Sequence, residues 1–346
     1  MLKCPFKLLS SLCVAAAALA VSADIAWAQN QIIEETNKQL GRQISDAIAR
    51  RTSIRVTSEA VGTAVAGGTT SDKDSSVWFN GTYNNISTNP SFAFEGDSVT
   101  LDATLELYQA TAGLDHRFGK FFAGISGSYT RAEFRADVTS PGINNIDNNN
   151  FSTIAGTSGI SASTSANTIS ASGGANNYSV NPYFGYMITS YIYPLAILGY
   201  TRTEVDNSNI GADTFSSDLS MNYADRIDNW IARGKVGWRH LRVSVDIPDT
   251  DSDAVNVDTF YAGATVGYKT GIFLPYFMGQ YERLLNNTDV PVGVTGLSID
   301  PNFLYLTAGV DFDVIPDLTL GVAGQAEVLN SLTDSYSAIV NLRLRF

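Results

Sequence analysis

The sequence predicts an all-β fold, an antiparallel β-barrel of about twelve strands preceded by a short helix and a linker. From residue 75 onward, runs of about ten residues alternate apolar and polar side chains, and short connections between them alternate with long ones. Beyond the N-terminal segment there is no apolar run long enough for a membrane-spanning helix. Strands with one apolar face cross a bilayer only as a closed barrel, so we expect a transmembrane barrel.

Residues 1–28 have the pattern of a secretory signal peptide. Lys3 and Lys7 form a basic head, residues 8–21 are apolar, and Ala26-Trp27-Ala28 has the small-x-small form of a cleavage site. We therefore expect export through a cleaved signal, with the mature chain beginning near Gln29.

The cysteines and the net charge exclude several classes of function. Cys4 and Cys13 both lie within residues 1–28, so the chain beyond that segment has no thiol for a disulfide, a zinc site or thiol catalysis. The formal net charge is −12, and this acidity argues against a nucleic-acid partner.

Residues 29–51 have a different period from the rest of the chain. Apolar residues recur at helical spacing, with acidic residues in the first turn and Arg50 and Arg51 in the last, which predicts an amphipathic helix. Residues 52–74 are rich in Thr, Ser, Gly and Ala and are typical of a flexible linker. Two positions for the helix remain open. It can thread the barrel lumen, or it can lie in the periplasm, and its Ile and Leu stripe is a poor match for a polar lumen.

The barrel is predicted over residues 75–346. A hairpin is expected where two alternating runs meet at Gly119-Lys120. Barrels of this kind have an even number of strands, and the predicted count becomes even only if residues 206–252 hold two strands joined by a turn at residues 224–228. The run from Tyr191 to Tyr200 is apolar on both faces, so its orientation stays open.

The connections predict which end of the barrel faces which side. We expect short turns on the periplasmic side and long loops outside the cell. Short turns are predicted at 119–120, 189–190, 269–271 and 316–317, and long loops at 86–99, 139–175, 247–254 and 286–301. The loop at 139–175 is almost entirely Asn, Ser, Gly and Thr, so we expect a solvated external segment without a packed core.

The last strand places an apolar face beside the chain end. Its apolar positions include the residues that we expect to act as the membrane-insertion signal: Tyr336, Leu342, Leu344 and Phe346. A final strand that ends in Phe resembles the closing strand of outer-membrane barrels, which is read by the barrel-assembly machinery. Outer-membrane lipid and that machinery are therefore the expected partners.

Charged residues fall on the faces opposite the apolar ones. The candidate lumen-lining residues are Asp115, Arg233, Lys235, Arg239, Glu282, Asp311, Glu327, Arg343 and Arg345. Two interpretations stay open: a mutually neutralising polar interior, or a weakly anion-selective pore. Only His116 and His240 are available for acid–base chemistry, and neither has a nucleophile in a recognisable pattern. We expect no catalytic residues, no metal site, no cofactor and no enzymatic activity.

The order of these features resembles the translocator barrel of autotransporters. The resemblance covers residues 75–346 and is carried by Trp78 in the first strand, by the hairpin TAGLDHRFGKFFAGISGSYT at residues 111–130, and by the terminal Phe346. It implies a twelve-stranded barrel with a helix or linker in the lumen. The chain departs from that family because only residues 29–74 precede the barrel, so any passenger is vestigial.

The resulting functional expectation is an outer-membrane barrel of a Gram-negative cell that acts as a membrane-embedded pore or as a surface-display scaffold. The alternatives are a small porin-like channel, or an adhesin or structural outer-membrane protein without translocation activity. A secreted all-β sandwich would instead bury the apolar strand faces against each other.

Overall fold

The fold was established from a computed structural model of the 346-residue chain. It describes residues 42, 46, 48–49, 74–89, 91–94, 97–139, 161–165, 168–206, 211–246, 254–285, 301–315, 317–329 and 333–346. The predicted signal peptide 1–28 lies outside the described residues, as does all of the predicted linker 52–74 except Asp74. Of the predicted helix 29–51, four residues are described, and all four have helical backbone.

Fourteen strands account for nearly all of the described chain. They are β1 (Ser75–Thr88), β2 (Ser91–Phe94), β3 (Asp97–Phe118), β4 (Phe121–Thr139), β5 (Ser161–Ser165), β6 (Thr168–Tyr186), β7 (Ile192–Val205), β8 (Gly211–Ile227), β9 (Trp230–Asp246), β10 (Val255–Tyr268), β11 (Phe273–Leu284), β12 (Asn302–Ile315), β13 (Leu318–Glu327) and β14 (Thr333–Arg345).

The sheet closes into a barrel because β1 pairs antiparallel with both β14 and β3. Strand β2 pairs only with the start of β3, and β5 pairs only with the start of β6, so these two short strands extend the wall above its rim. The other twelve strands form the closed barrel, and every pairing between them is antiparallel. The predicted count of twelve is confirmed, including the two strands β8 and β9 within residues 206–252.

The short turns and the two ends of the barrel chain lie at one rim. The backbone N–H of Phe346 donates to the carbonyl of Ser75 at 3.1 Å, and Ser75 is opposite His116, next to the turn at Gly119. An even number of strands requires this arrangement. All four predicted short turns are confirmed. The fifth, predicted at 224–228, is shorter than expected: β8 runs to Ile227, and the reversal is made by residues 228–229.

Two of the predicted long loops are partly wrong. Residues 161–165 and 168–175 belong to β5 and β6, because β4 continues to Thr139 and pairs with β6 as far as Thr168. Residues 86–88, 91–94 and 97–99 are likewise strand. Backbone pairing with a neighbouring strand accepts Ser-, Gly- and Asn-rich sequence, which a composition argument assigns to a loop. Residues 140–160, 247–253 and 286–300 lie outside the described part of the chain.

The outer face of the barrel is apolar and is bounded by two aromatic belts. Its middle band carries exposed aliphatic side chains such as Ile125, Val180, Leu219 and Val340. Towards the short turns this band ends at Phe118, Phe121, Tyr186, Tyr191, Tyr223, Trp230, Tyr268, Phe273 and Phe346. Towards the long loops it ends at Tyr108, Tyr129, Tyr178, Tyr200, Phe215, Trp238, Phe260 and Tyr336. Two aromatic girdles around an aliphatic band are typical of transmembrane barrels.

Charged pairs follow the aromatic belt at the long-loop rim. Arg131 lies 2.5 Å from Asp206, and the hydrogen bond from Arg131 lowers the pKa of the Asp206 carboxyl group. Beside them, Arg202 lies 3.1 Å from Asp213. These partly exposed charges on the outward face mark the height at which the apolar surface stops.

On the inner face, aromatic rings lie across glycines of the neighbouring strand. A Cβ atom at Gly124 would lie 2.3 Å from the ring of Tyr183, its cross-strand partner. The same pairing of an inward aromatic residue with a glycine directly opposite occurs at Trp78 and Gly113, Phe122 and Gly185, Tyr261 and Gly237, and Tyr276 and Gly309. The rings lie flat over the glycine backbone, which leaves no room for a side chain there.

This packing predicts a difference between two glycines of β4. Gly124→Ala places a methyl group inside the ring of Tyr183 and should destabilise the barrel by about 1–3 kcal/mol. Gly127→Ala meets nothing closer than 3.6 Å and should stay within about 0.5 kcal/mol of the parent. Urea unfolding of both variants in detergent micelles measures the difference, and equal midpoints would contradict the ring-over-glycine packing.

Candidate functional site in the barrel lumen

The nine candidate lumen residues all lie on the strand faces that point away from the apolar exterior. Asp115, Arg239, Glu282, Asp311 and Arg343 are buried, and Arg233, Lys235, Glu327 and Arg345 are partly buried. The four residues of the predicted insertion signal lie on the opposite face: Tyr336, Leu342, Leu344 and Phe346 are exposed. The structure therefore divides these two sets between the inside and the outside of one barrel.

Arg239 lies at the centre of a buried ionic network. Its Nε atom donates to the Asp218 carboxylate at 3.2 Å, and its Nη1 atom is 3.9 Å from Glu282. The Tyr261 hydroxyl donates to the other oxygen of Asp218 at 2.6 Å, and the Gln280 amide donates to Glu282 at 2.6 Å. Arg239 is 1% exposed, and the two carboxylates that contact it, Asp218 and Glu282, both belong to the wall.

Asp115 belongs to a second, smaller network near the short-turn rim. It accepts hydrogen bonds from the hydroxyl groups of Ser76 and Tyr183 at 3.0 and 3.2 Å. The indole N–H of Trp78 donates to the same Tyr183 oxygen at 3.1 Å. These bonds join three strands, β1, β3 and β6, and hold the ring of Tyr183 over Gly124.

Four described helical residues lie inside the barrel. Arg42 donates a hydrogen bond to Gln325 of β13 at 3.0 Å, and its guanidinium group lies 3.8 Å from the centre of the Tyr305 ring. One helical turn later, Asp46 accepts a hydrogen bond from Lys235 of β9 at 2.5 Å. The polar side of the helix thus faces the wall formed by β9 to β13.

The apolar side of the helix faces the opposite wall. Ile48 is fully buried, and Ile48 and Ala49 share a buried cluster with Trp78, Phe122, Tyr183, Met187, Tyr193, Leu195, Ile197 and Ala224. Beside the helix the lumen is therefore two-sided: an apolar wall lies at the short-turn ends of β4, β6, β7 and β8, and a charged wall lies along β9 to β13. Farther from the short turns, β4, β6 and β8 turn polar residues inward, among them Ser128, Asn181 and Asp218. The expectation that the apolar stripe fits the lumen poorly is wrong at Ile48, because it assumed a lumen that is polar throughout, whereas Ile48 packs in an apolar cluster. The orientation of the run from Tyr191 to Tyr200 follows: its inward apolar residues belong to this cluster.

A small recess opens beside the helix. It is lined by Asp46 and Ala49 of the helix and by Arg233, Lys235 and Thr265 of the wall, with Asn222, Gly234, Gly263, Tyr276 and Met278 completing it. The helix thus forms one side of a polar space in the lumen.

The two histidines do not belong to this site. His116 is 2.8 Å from the Ser75 hydroxyl at the short-turn rim, and His240 is 2.9 Å from Asp258 at the other end of the barrel wall. In the part of the chain that the structure describes, no group of three or more His, Cys, Asp or Glu side chains is placed to hold a metal ion. The helical residues in that part include no helix long and apolar enough to cross a membrane.

The predicted lumen residues leave out several participants in these networks, among them Asp218, Tyr261 and Asp46. Asp218 and Tyr261 lie on the same strand faces as the predicted lumen residues, so strand alternation alone could have identified them. Asp46 could not have been found in that way, because no pattern in the sequence shows which wall the helix faces.

The fold is similar to that of solved structures. The transport unit of the autotransporter AIDA-I from Escherichia coli aligns with a TM-score of 0.52 and 13% identity, over 87% of this chain and 99% of that one. The chain has the fold of an autotransporter transport unit. The predicted resemblance is thereby confirmed at the level of the fold.

Two further autotransporter barrels align less well and carry no weight in that assignment. The translocator domain of NalP from Neisseria meningitidis has a TM-score of 0.48 and 12% identity, over 88% of this chain and 98% of that one. The β domain of the Bordetella autotransporter BrkA has a TM-score of 0.49 and 14% identity, over 79% and 100%. No family model and no curated protein matches the sequence.

In this transport-unit fold, the seat of the helix can be tested by the accessibility of Ala49. A chain that begins at Gln29 contains no other thiol, so Ala49→Cys gives a single site for maleimide labelling. Adding Ile48→Asp puts a carboxylate into the apolar cluster and should speed labelling by about tenfold or more, because the charge favours a displaced helix. Ile48→Val is the matched control and should leave labelling slow. Fast labelling of Ala49→Cys alone would contradict the buried seat.

Proposed function

We propose that the protein is an outer-membrane pore of the autotransporter type whose lumen is closed by its own N-terminal helix, and which serves as a membrane-embedded scaffold. The observation that carries the proposal is the position of Arg42, Asp46 and Ile48 between the two walls of the barrel. A helix that contacts both the charged and the apolar wall occupies the path that ions or an unfolded segment would take.

Outer-membrane lipid is the proposed partner of the exterior. The exposed aliphatic band and the two aromatic belts would be unfavourable in water and match the hydrocarbon and its two interfaces. Export through a cleaved signal at residues 1–28 would deliver the chain to the periplasm, from which such barrels insert.

The barrel-assembly machinery is the proposed partner of β14. Its outward residues Tyr336, Leu342, Leu344 and Phe346 end at the seam where β14 pairs with β1, so β14 is an edge strand until the barrel closes. An edge strand with an apolar face and a terminal aromatic residue can be held by strand addition.

We propose no catalytic role. In the networks described above, Asp46, Asp115, Asp218 and Glu282 are paired with lysine, serine, tyrosine or arginine side chains, and the two histidines lie apart from them. A polar interior that is internally compensated suits a channel wall.

Deleting residues 29–70 and recording conductance in planar bilayers tests the proposal. The full chain should give small or rare conductance steps, and the deletion should give a large rise, because the helix no longer fills the lumen. Ile48→Asp in the full chain is the control that displaces the helix without removing it, and it should give the same rise.

Two other outcomes would contradict the proposed function. An unchanged trace after the deletion would mean that the helix lies outside the conducting path. Silence in all three proteins, each shown to be folded by heat-modifiable migration on gels, would mean that the lumen is filled by the side chains of the wall. Recovery of the chain in the soluble fraction after carbonate washing of cell membranes would exclude the membrane location itself.

A further inference from the structure

The lumen cations differ in where their counter-charges lie. Arg239 is opposite Asp218 in the pairing of β9 with β8, and Glu282 also approaches it, so its compensation is built into the wall. Lys235 is opposite Asn222 on one side and Gly263 on the other, and neither is charged.

Arg233 is next along the same face of β9. It is opposite Ala224 and Thr265. The four residues directly opposite Arg233 and Lys235 are neutral, and the two cations are successive inward residues of β9, which we term the positive strip. The carboxylate that pairs with Lys235 belongs to Asp46 of the helix, at 2.5 Å.

The positive strip borders the recess beside the helix. Arg233 and Lys235 form part of its lining, and Asp46 and Ala49 of the helix form its other side. Displacement of the helix joins this recess to the rest of the lumen and removes the Asp46 charge from Lys235 in the same movement.

We propose that Arg233 and Lys235 form an anion-selectivity strip, that Asp46 masks it while the helix is seated, and that Lys235 is the residue that sets selectivity for small inorganic and organic anions once the lumen opens. The inference rests on the proposed function, because it requires a lumen that conducts when the helix leaves. A positively charged strip in a narrow, low-dielectric lumen raises the local concentration of anions and excludes cations.

The arrangement also makes the closed state electrostatically specific. Asp46 pairs with Lys235, and the strand residues directly opposite Lys235 carry no carboxylate. One helical turn away, Arg42 contacts Gln325 and Tyr305. The helix thereby places the Asp46 carboxylate at the positive strip and the Arg42 cation at β12 and β13. These two contacts fix the direction and the depth of the helix in the lumen.

Reversal potentials in a KCl gradient test the selectivity strip in the full-length chain. The Ile48→Asp variant, in which the helix is displaced, should be anion-selective, with a chloride-to-potassium permeability ratio above one. Adding Lys235→Gln should lower that ratio about threefold or more, and adding Lys235→Glu should invert the preference to cations.

Arg242→Gln is the matched control, because Arg242 is an exposed cation on the opposite face of the same strand. It removes the same formal charge from β9 and should leave the permeability ratio unchanged. An equal shift in Arg242→Gln and Lys235→Gln would overturn the assignment, since it would report net charge and not the lumen strip.

The helix pairing is tested in the otherwise unaltered chain by exchanging charges. Asp46→Lys should raise the open probability because two cations then meet, and Asp46→Lys combined with Lys235→Asp should restore the closed state. If the Ile48→Asp variant conducts but adding Lys235→Gln leaves its chloride-to-potassium permeability ratio unchanged, this inference is overturned and the proposed pore stands. Silence in a folded Ile48→Asp barrel would overturn the proposed pore and this inference together.

Discussion

Closure of β1 onto β14 is the constraint on which the rest of the structure depends. In hydrocarbon an unpaired edge strand would expose a row of N–H and C=O groups at several kcal/mol each, so the sheet must end on itself. The pairing runs from Ser76 opposite Arg345 to Thr88 opposite Thr333, and Asn80 donates a side-chain hydrogen bond to Asn341 at 2.7 Å on the inner face. Once the seam closes, every strand has one face outside and one inside.

The outer and inner faces of the strands then meet different physical requirements. Outside, lipid accepts any apolar side chain, so the exterior is an aliphatic band with aromatic belts. Inside, the space must be filled, and the chain fills it with rings over glycines, with the Arg239 network, and with helical residues seated between an apolar and a charged wall. The helix therefore belongs to the interior packing, and the charge that it brings to Lys235 links the seat of the helix to the character of the lumen.

Strand alternation predicted the barrel, its twelve strands and the faces of Leu342 and Arg343, because a period of two shows directly which side chains share a face. It did not predict β5 or the start of β6, since Ser- and Gly-rich segments have no alternation and form strands only by pairing with β4. It also left the Tyr191–Tyr200 run undecided. The apolar cluster that explains this run includes Ile48 of the helix, and contact between segments so distant in the sequence is set by tertiary packing.

Disulfide formation across the seam tests the central claim most directly. Cysteine pairs at Phe79 and Leu342 on the outer face, and at Asn80 and Asn341 on the inner face, are in register between β1 and β14. In the membrane-inserted protein, at least one of these pairs should form an intramolecular disulfide, because directly opposed residues bring their Cβ atoms within about 5 Å. The off-register pair at Phe79 and Ala338 should not. Cross-linking only between separate chains, or only at the off-register pair, would contradict a barrel closed by β1 and β14.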